Sequence, residues 1–343
     1  MNPYISIICP CYNGETFIEC AITSVLSQPV ECVEMIVVDD GSTDDTPFIC
    51  QKYASDRIKY YRTENFGTGH ARNFGLEQAQ GTWIMYLDAD DLYLNNSIND
   101  VFIDTLHEYE KQKVDIVYTP CFYVDYYLKQ WIKKDDAEEH ISVIPQFTFW
   151  NGIYSHNFLV NNRIRFYEYK EQDIESAFRY LAYDSAKKTV ANNEMKFYLQ
   201  RENYSSNTHT WDLKKVCEIK TFVYYDLLKN HAHSVENRNR LLSELLSIIK
   251  TYFIEVKNYG YNNQEKFSHV CMIARECLLT SKARKFLGGK QYIKELIRYF
   301  LCTLFAKKQE LEIKGNKEDQ KNDISLDEVM NRLKTVSRFL LAD

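Results

Sequence analysis

Apolar and polar positions alternate along the first 90 residues in a way that predicts strands and helices in turn. Short apolar runs rich in β-branched residues predict strands over residues 4–9, 33–38, 57–61 and 82–87. Apolar positions at helical spacing predict helices over residues 14–28 and 68–80, and Ser42 and Thr43 offer N-cap hydroxyls for a helix that reaches Ala54. Strands and helices that alternate at this pace predict an α/β fold with a doubly wound, mostly parallel sheet.

Polar clusters follow three of the predicted strands. The first strand leads into Pro10-Cys11-Tyr12-Asn13, the second into Asp39-Asp40-Gly41-Ser42, and the fourth into Asp88-Ala89-Asp90-Asp91. Ligands of doubly wound sheets bind beyond the carboxyl ends of the strands, so we expect a site there. Clustered carboxylates repel an anionic ligand such as a diphosphate. A divalent cation between them removes that repulsion, and their hard oxygen atoms suit magnesium or manganese. Each aspartate could alternatively be a helix cap, but capping does not explain Asp88, Asp90 and Asp91 together.

The pattern changes in the rest of the chain. Strand-like stretches, a charged loop and an aromatic-rich segment over residues 115–166 lead to a helix over 173–183. After Trp211, long amphipathic periods predict helices over residues 213–229, 238–257, 264–279 and, after a charged linker, 326–341. We therefore predict two parts, an α/β domain over 1–210 and a mainly α-helical C-terminal region over 211–343.

Composition limits the classes of function. The net charge of -6 argues against a nucleic-acid partner, because proteins that bind nucleic acid usually have an excess of Lys and Arg. The ten cysteines show no paired CxxC spacing, which favours reduced buried thiols over a zinc site or a disulfide framework. We find no signal peptide and no apolar run near the roughly 18 residues of a membrane span, so we expect a cytoplasmic protein.

Four stretches in a fixed order carry a more specific signal. They are Cys9-Pro10-Cys11-Tyr12-Asn13, Val38-Asp39-Asp40-Gly41-Ser42-Thr43-Asp44, Asn65-Phe66-Gly67-Thr68-Gly69-His70-Ala71-Arg72-Asn73-Phe74-Gly75 and Leu87-Asp88-Ala89-Asp90-Asp91. Together they resemble the inverting family 2 glycosyltransferases with a GT-A fold, and the resemblance covers about residues 3–210. It implies a domain that binds a nucleotide-sugar with Mn2+ or Mg2+ at a DXD motif and transfers the sugar with inversion.

The resemblance also implies roles for residues at the strand ends. Its nucleotide-binding set is Pro10, Tyr12, Asn13, Asp39, Asp40, Arg72 and Asp88. Within that set, Tyr12 is expected to stack on the nucleobase, and Asp40, with Asp39 beside it, to bind the base edge. Asp88 is assigned to the ribose and the metal and Asp90 mainly to the metal, whereas Asp91 could be only the cap of the following helix.

Inversion requires a base that takes the proton of the acceptor hydroxyl. The resemblance places this catalytic base at Asp173, which follows Ile164-Arg165-Phe166, although Gln172 stands where the family has a glutamate. Glu171 and Glu175 are competing candidates, and Asp173 could be a helix cap instead.

Two further residues, Trp150 and Arg72, have a structural alternative beside their implied role. Trp150 falls in the segment that resembles the acceptor side, where an indole can cover a sugar face, but it could equally be a core residue. Arg201 falls in a stretch that covers the diphosphate in the family and is expected to neutralise charge there. Arg72 is expected near the nucleotide or the diphosphate, with a surface helix position as its alternative. His209 is not expected to be a metal ligand, because a lone histidine seldom is.

The C-terminal region contains a basic segment at residues 281–310, with eight Lys or Arg against two Glu among aromatic and aliphatic residues. This pattern favours a helix at an anionic membrane surface, close to a lipid-linked acceptor. A helix packed on its neighbours with a solvated basic face explains the pattern equally well. The remaining helices could form a homodimer contact, a lid or a stabilising cover.

These observations predict transfer of a sugar, from a UDP-sugar, to a glycan or polyprenyl-linked acceptor in surface polysaccharide synthesis. Two alternatives stay open. A sugar nucleotidyltransferase should have a Gly-rich phosphate loop after the first strand, and residues 10–14 do not resemble one. A catalytically inactive nucleotide-sugar-binding scaffold is the other alternative, and Gln172 is the residue that keeps it open.

Overall fold

The computed structural model describes residues 3–124, 142–144, 148–170, 175–201, 212–232, 235–259 and 264–278. The chain divides into two compact units, residues 1–209 and 210–343.

The first unit contains eleven described strands in two sheets. They are β1 (Ile5–Cys11), β2 (Val33–Asp39), β3 (Ile58–Arg62), β4 (Trp83–Tyr86), β5 (Leu92–Tyr93), β6 (Ile116–Tyr118), β7 (Cys121–Val124), β8 (Ser142–Ile144), β9 (Gly152–Ser155), β10 (Thr189–Ala191) and β11 (Tyr198–Arg201). The main sheet has the order β10-β6-β9-β4-β1-β2-β3. Among the described strands of this sheet, only β9 runs antiparallel to its neighbours. The predicted mostly parallel α/β sheet is therefore confirmed.

The helices of this unit lie between the strands as the sequence pattern predicts. They are α1 (Ile18–Leu26), α2 (Thr46–Tyr53), α3 (Thr68–Gln78), α4 (Asp100–Lys111), α5 (His156–Asn161) and α6 (Glu175–Ser185). The prediction that Ser42 or Thr43 caps α2 is wrong, because α2 begins at Thr46 after Asp45. Ser42 instead accepts a hydrogen bond from the backbone of Asn13, which joins two loops at the edge of the sheet.

The central strands are buried along their whole length. All seven residues of β1 and all seven of β2 are buried, as expected for parallel strands covered on both faces. α3 lies close against β1 because residue 75 is a glycine: a Cβ there would stand 2.5 Å from the Ile8 Cγ2 atom. This close approach sets the position of Arg72, which lies one helical turn earlier on α3.

A second sheet, with the order β5-β11-β7-β8, begins directly after the acidic run at residues 88–91. β11 pairs antiparallel with β5, where Tyr198 lies opposite Tyr93, and parallel with β7. The acidic run therefore connects the two sheets.

The second unit is helical where it is described. It contains α7 (Leu213–Asp226), a π-helical turn (Leu227–His231), α8 (Val235–Tyr259) and α9 (Gln264–Leu278), which confirms the predicted helical C-terminal region. Asp212 caps α7 by accepting hydrogen bonds from the backbone of Lys214 and Lys215. Among the described residues, no helix combines the length and the apolar character that a membrane crossing requires. The basic segment 281–310 and the predicted last helix lie outside the described residues.

Candidate active site

Hydrogen bonds join the loops that follow β1 and β2. The Asn13 backbone N–H donates to the Ser42 hydroxyl over 2.9 Å, and the Thr43 backbone N–H donates to Asn13 Oδ1 over 2.8 Å. Pro10 is buried within β1, whereas the Tyr12 side chain is 50% exposed beside these bonds. Asn13 therefore fixes the loop, and Tyr12 presents an aromatic face at the carboxyl edge of the sheet.

Asp39 is fully buried and is held by residues of β3 and of the loop that follows β2. Its carboxylate accepts from the Ser42 backbone N–H (2.8 Å) and from the Tyr60 hydroxyl (2.7 Å), and Arg62 lies 3.9 Å away. Burial and the Asp39 carboxylate raise the pKa of Tyr60, so the phenol stays protonated and donates. Tyr60 and Arg62 are site residues that sequence reasoning missed. The two predicted neighbouring strands were the signal that could have found them: when β2 and β3 pair in parallel, Arg62 lies in register with Asp39.

Asp40 anchors the turn that precedes α3. Its Oδ1 accepts from the Thr63 hydroxyl (2.7 Å) and the Phe66 backbone N–H (2.9 Å), and its Oδ2 accepts from the Gly67 backbone N–H (2.7 Å). A carboxylate offers about four acceptor positions. These contacts leave one position on Oδ2, which suits a donor such as the N–H of a base edge.

Arg72 is buried beneath the acidic run. Its Nη2 donates to Asp88 Oδ1 over 2.7 Å and lies 3.8 Å from Glu175, and its side chain is 2% exposed. The guanidinium carbon stands 4.3 Å from the ring centroid of Phe149 and 5.1 Å from that of Phe166. The alternative of a surface helix position is therefore wrong, and Arg72 connects α3, the end of β4 and the start of α6.

Replacing Arg72 with methionine is expected to destabilise the protein. Loss of one partner of a buried ion pair costs about 3–5 kcal/mol, and we expect about 2 kcal/mol here because Asp88 and Glu175 keep contact with solvent. Urea unfolding measures the difference. Lys52→Met is the matched control, because Lys52 pairs with Glu19 at the exposed surface and such pairs contribute little. Equal unfolding midpoints for the two variants would contradict this assignment.

The aspartates of the acidic run differ in exposure. Asp88 and Asp90 are partly exposed, whereas Asp91 is buried and accepts from the Tyr198 hydroxyl (2.6 Å) and the Arg201 backbone N–H (2.9 Å). Burial, together with the charges of Asp90 and Asp88, raises the pKa of Asp91 well above its usual range.

The expectation that Asp91 caps the following helix is wrong. The residues after Asp91 form β5, and the next helix, α4, is capped by Asn99, which accepts from the Phe102 backbone N–H. The carboxylate of Asp91 instead connects the acidic run to β11.

Arg201 lies beside the acidic run. Its Nε donates to the backbone carbonyl of Asp90, and its guanidinium carbon stands 4.9 Å from the ring centroid of Phe17. Among the described residues, the buried Nη2 of Arg201 has no hydrogen-bond partner. A buried donor in this position suits an anionic oxygen of a ligand.

Trp150 lies in the core, with 6% of its surface exposed. Its ring stacks on that of Tyr198 at 4.4 Å between centroids and 24° between planes. Trp150 is therefore a core residue, which is the alternative that the sequence left open. Its ring contacts Tyr198, and the Tyr198 hydroxyl in turn contacts the acidic run. The expected base Asp173, with Glu171 and Gln172, lies outside the described residues.

The described residues contain no cluster of three or more His, Cys, Asp or Glu side chains that could hold a metal ion. Asp88 and Asp90 are the two members of the acidic run with access to solvent. Magnesium is commonly bound through one or two carboxylates together with substrate phosphates and water. The donor set therefore fits a hard cation that a bound diphosphate helps to hold.

A mostly parallel sheet with aromatic and acidic groups at its carboxyl edge, joined to a smaller second sheet, is the architecture of a GT-A glycosyltransferase. The sequence model of the family described as Glycosyl transferase family 2 matches residues 6–179, just over half of the chain. The chain belongs to this family.

Individual proteins resemble parts or most of the chain. Over 129 residues, 36% of the chain, it is 35% identical to the minor teichoic acid biosynthesis protein GgaB of Bacillus subtilis, and the match spans only 14% of GgaB's own length. The S. aureus TarS 1-349 structure in complex with UDP-GlcNAc has a TM-score of 0.61 at 18% identity, covering 91% of this chain and 92% of TarS 1-349.

A second solved structure shares the fold. The mannosyltransferase PcManGT from Pyrobaculum calidifontis, in complex with GDP-Man and Mn2+, has a TM-score of 0.51 at 15% identity, with 90% of this chain and 88% of that chain covered. At these identities, the two structures establish the common fold.

Proposed function

We propose that this glycosyltransferase transfers one sugar, with inversion, from a UDP-sugar to a glycan or polyprenyl-linked acceptor in surface polysaccharide synthesis. The observation that carries the proposal is the arrangement at one edge of the main sheet. There the exposed ring of Tyr12, the remaining acceptor position of Asp40 and the carboxylates of Asp88 and Asp90 follow the ends of β1, β2 and β4. UDP-GlcNAc in TarS and the teichoic acid role of GgaB support the donor and acceptor classes.

Each part of the donor has a matching group in this arrangement. The Tyr12 ring stacks on the uracil base, and Asp40 accepts from the base N–H through the position left on Oδ2. Asp88, which Arg72 holds in place, accepts from the ribose hydroxyls. The unpartnered Nη2 of Arg201 donates to a phosphate oxygen.

Asp88 and Asp90 together hold Mn2+ or Mg2+ in the proposed site. When bound, this cation stabilises the negative charge that develops on the departing diphosphate. Mn2+ in the structurally similar PcManGT supports this choice of cofactor.

On the acceptor side, Asp173 takes the proton from the attacking hydroxyl, which lets the acceptor oxygen bond to the anomeric carbon as the bond to the diphosphate breaks.

The basic segment 281–310 brings the enzyme to the cytoplasmic membrane surface, where a polyprenyl-linked acceptor is anchored. This segment and the helices of the second unit are also the proposed location of a homodimer contact. No role in binding nucleic acid is proposed, in keeping with the net charge of -6.

Removal of the metal tests the proposal. The purified protein is incubated with a panel of nucleotide-sugars and Mn2+. Hydrolysis of each donor is then measured as release of the nucleoside diphosphate. We expect slow release from a UDP-sugar, with at least a tenfold loss in EDTA that added Mn2+ restores. Release that is equally fast in EDTA would contradict the metal role.

The inactive scaffold predicts a different result in the same experiment. A scaffold binds a nucleotide-sugar, and so raises the thermal midpoint in proportion to occupancy, but releases no nucleoside diphosphate from any donor. Gln172 is the residue that gives this alternative its weight, because it replaces the glutamate of the family pattern. Binding without release would therefore favour the scaffold over the transferase.

A further inference from the structure

Four hydrogen bonds join β11 to the acidic run, although more than 100 residues separate the two segments in sequence. The Tyr198 hydroxyl donates to Asp91 Oδ2 over 2.6 Å and accepts from the Asp88 backbone N–H over 3.3 Å. The Arg201 backbone N–H donates to Asp91 Oδ1 over 2.9 Å, and its Nε donates to the backbone carbonyl of Asp90. These bonds involve the backbone of Asp88 and Asp90 and leave the carboxylate of Asp91 facing the interior.

The surroundings make this contact rigid. Tyr198 is fully buried, with its ring stacked on Trp150 and 5.8 Å from the ring of Tyr93. Burial and the neighbouring carboxylates raise the pKa of Tyr198, so its hydroxyl remains a donor. A buried polar group costs free energy unless it is paired, so the hydroxyl and the Asp91 carboxylate depend on each other.

We propose that Tyr198 and Asp91 are positioning residues, which fix the backbone of the acidic run so that the carboxylates of Asp88 and Asp90 point toward the bound cation and diphosphate. The inference rests on the proposed function, because it assigns these two carboxylates to the metal and the donor. Tyr198 touches neither ligand in this scheme. Its effect passes through the Asp88 N–H and the Asp91 carboxylate.

The test is UDP binding to the full chain by calorimetry, once with Mn2+ and once with EDTA. Tyr198→Phe keeps the ring and its stacking on Trp150 and removes only the hydroxyl. We expect the variant to bind UDP with Mn2+ about tenfold more weakly, since one hydrogen bond contributes about a kilocalorie per mole. Its affinity in EDTA should fall less, because Tyr12 and Asp40, which bind the base in the proposed site, are untouched.

Tyr93→Phe is the matched control. Tyr93 is equally buried, and its hydroxyl donates to the backbone carbonyl of Tyr86 instead of to the acidic run. Both variants should lower the thermal midpoint, but only Tyr198→Phe should reduce the gain in UDP affinity that Mn2+ provides. An equal reduction in both variants, or none in Tyr198→Phe, would overturn the inference.

A second variant guards against a Tyr198→Phe protein that does not fold. Asp91→Leu keeps the branched shape of the side chain but removes both acceptor oxygens, so the bonds to the Tyr198 hydroxyl and the Arg201 backbone N–H are both lost. In this variant Mn2+ should raise the affinity for UDP less than it does in the unchanged protein. If Mn2+ raises the affinity by the same factor in both, the inference is overturned. If the unchanged protein binds no UDP in either buffer, the proposed function fails instead.

Discussion

Asp90→Ala is expected to lower the rate of UDP release from the donor about a thousandfold. A metal that stabilises the departing diphosphate contributes several kcal/mol to the transition state, and each 1.4 kcal/mol or so is a factor of ten in rate. The backbone of the acidic run should keep its conformation in this variant. Arg201 contacts the backbone carbonyl of residue 90, and Asp91 holds β11, so neither contact needs the Asp90 side chain.

The matched control is Asp104→Ala, which removes the same charge from an exposed position on α4. We expect this control to retain the activity and the Mn2+ dependence of the unchanged protein. The measurement is UDP release at saturating donor over a range of Mn2+ concentrations, with thermal midpoints for all three proteins. Mn2+-dependent release at the original rate in Asp90→Ala would remove Asp90 from the metal site.

The fold could be predicted from the sequence because its main signals are local. The runs that became β1 and β2 are almost entirely apolar, which is typical of strands covered on both faces. Amphipathic periods likewise predicted α7, α8 and α9 to within a few residues. In the observed strand order β1 lies between β4 and β2, which brings the ends of these three strands together.

The support of the site could not be predicted in the same way, because it depends on contacts between distant segments. Asp91 looks like a helix cap in sequence, and only the antiparallel pairing of β11 with β5 brings Tyr198 to its carboxylate. Arg72 has no sequence feature that marks it as buried, since its burial comes from Phe149 and Phe166 in a segment more than 70 residues away.

Two of these long-range contacts change how the acidic run is understood. Arg72 balances the charge of Asp88 from one side, and β11 holds the backbone of the run from the other. Asp91 therefore belongs to the support of the site, which leaves Asp88 and Asp90 as its exposed carboxylates. A cation held by only two protein carboxylates should bind weakly until a diphosphate supplies further oxygens.

Asp173→Asn is expected to reduce sugar transfer by about two to four orders of magnitude, the usual contribution of a general base. Asparagine cannot take the proton of the acceptor hydroxyl, but it caps a helix about as well as aspartate does. The substitution therefore separates the two roles that the sequence allows for this position, a catalytic base or a helix cap. UDP release, measured while the sugar is transferred to the acceptor or to water, gives the rate, and calorimetry with UDP and Mn2+ measures donor binding.

A comparison with Asp173→Ala and Glu175→Gln completes this test. If Asp173 is the base, Asn and Ala at this position lose activity alike while both bind UDP normally. Glu175→Gln, which alters a competing carboxylate that lies 3.8 Å from Arg72, should keep most of its activity. If Asp173 is only a cap, Asp173→Asn remains active and Asp173→Ala loses stability by about 1 kcal/mol. Because Asn preserves the cap and Glu175→Gln preserves Asp173, only a base at residue 173 explains loss in the first variant with activity in the second.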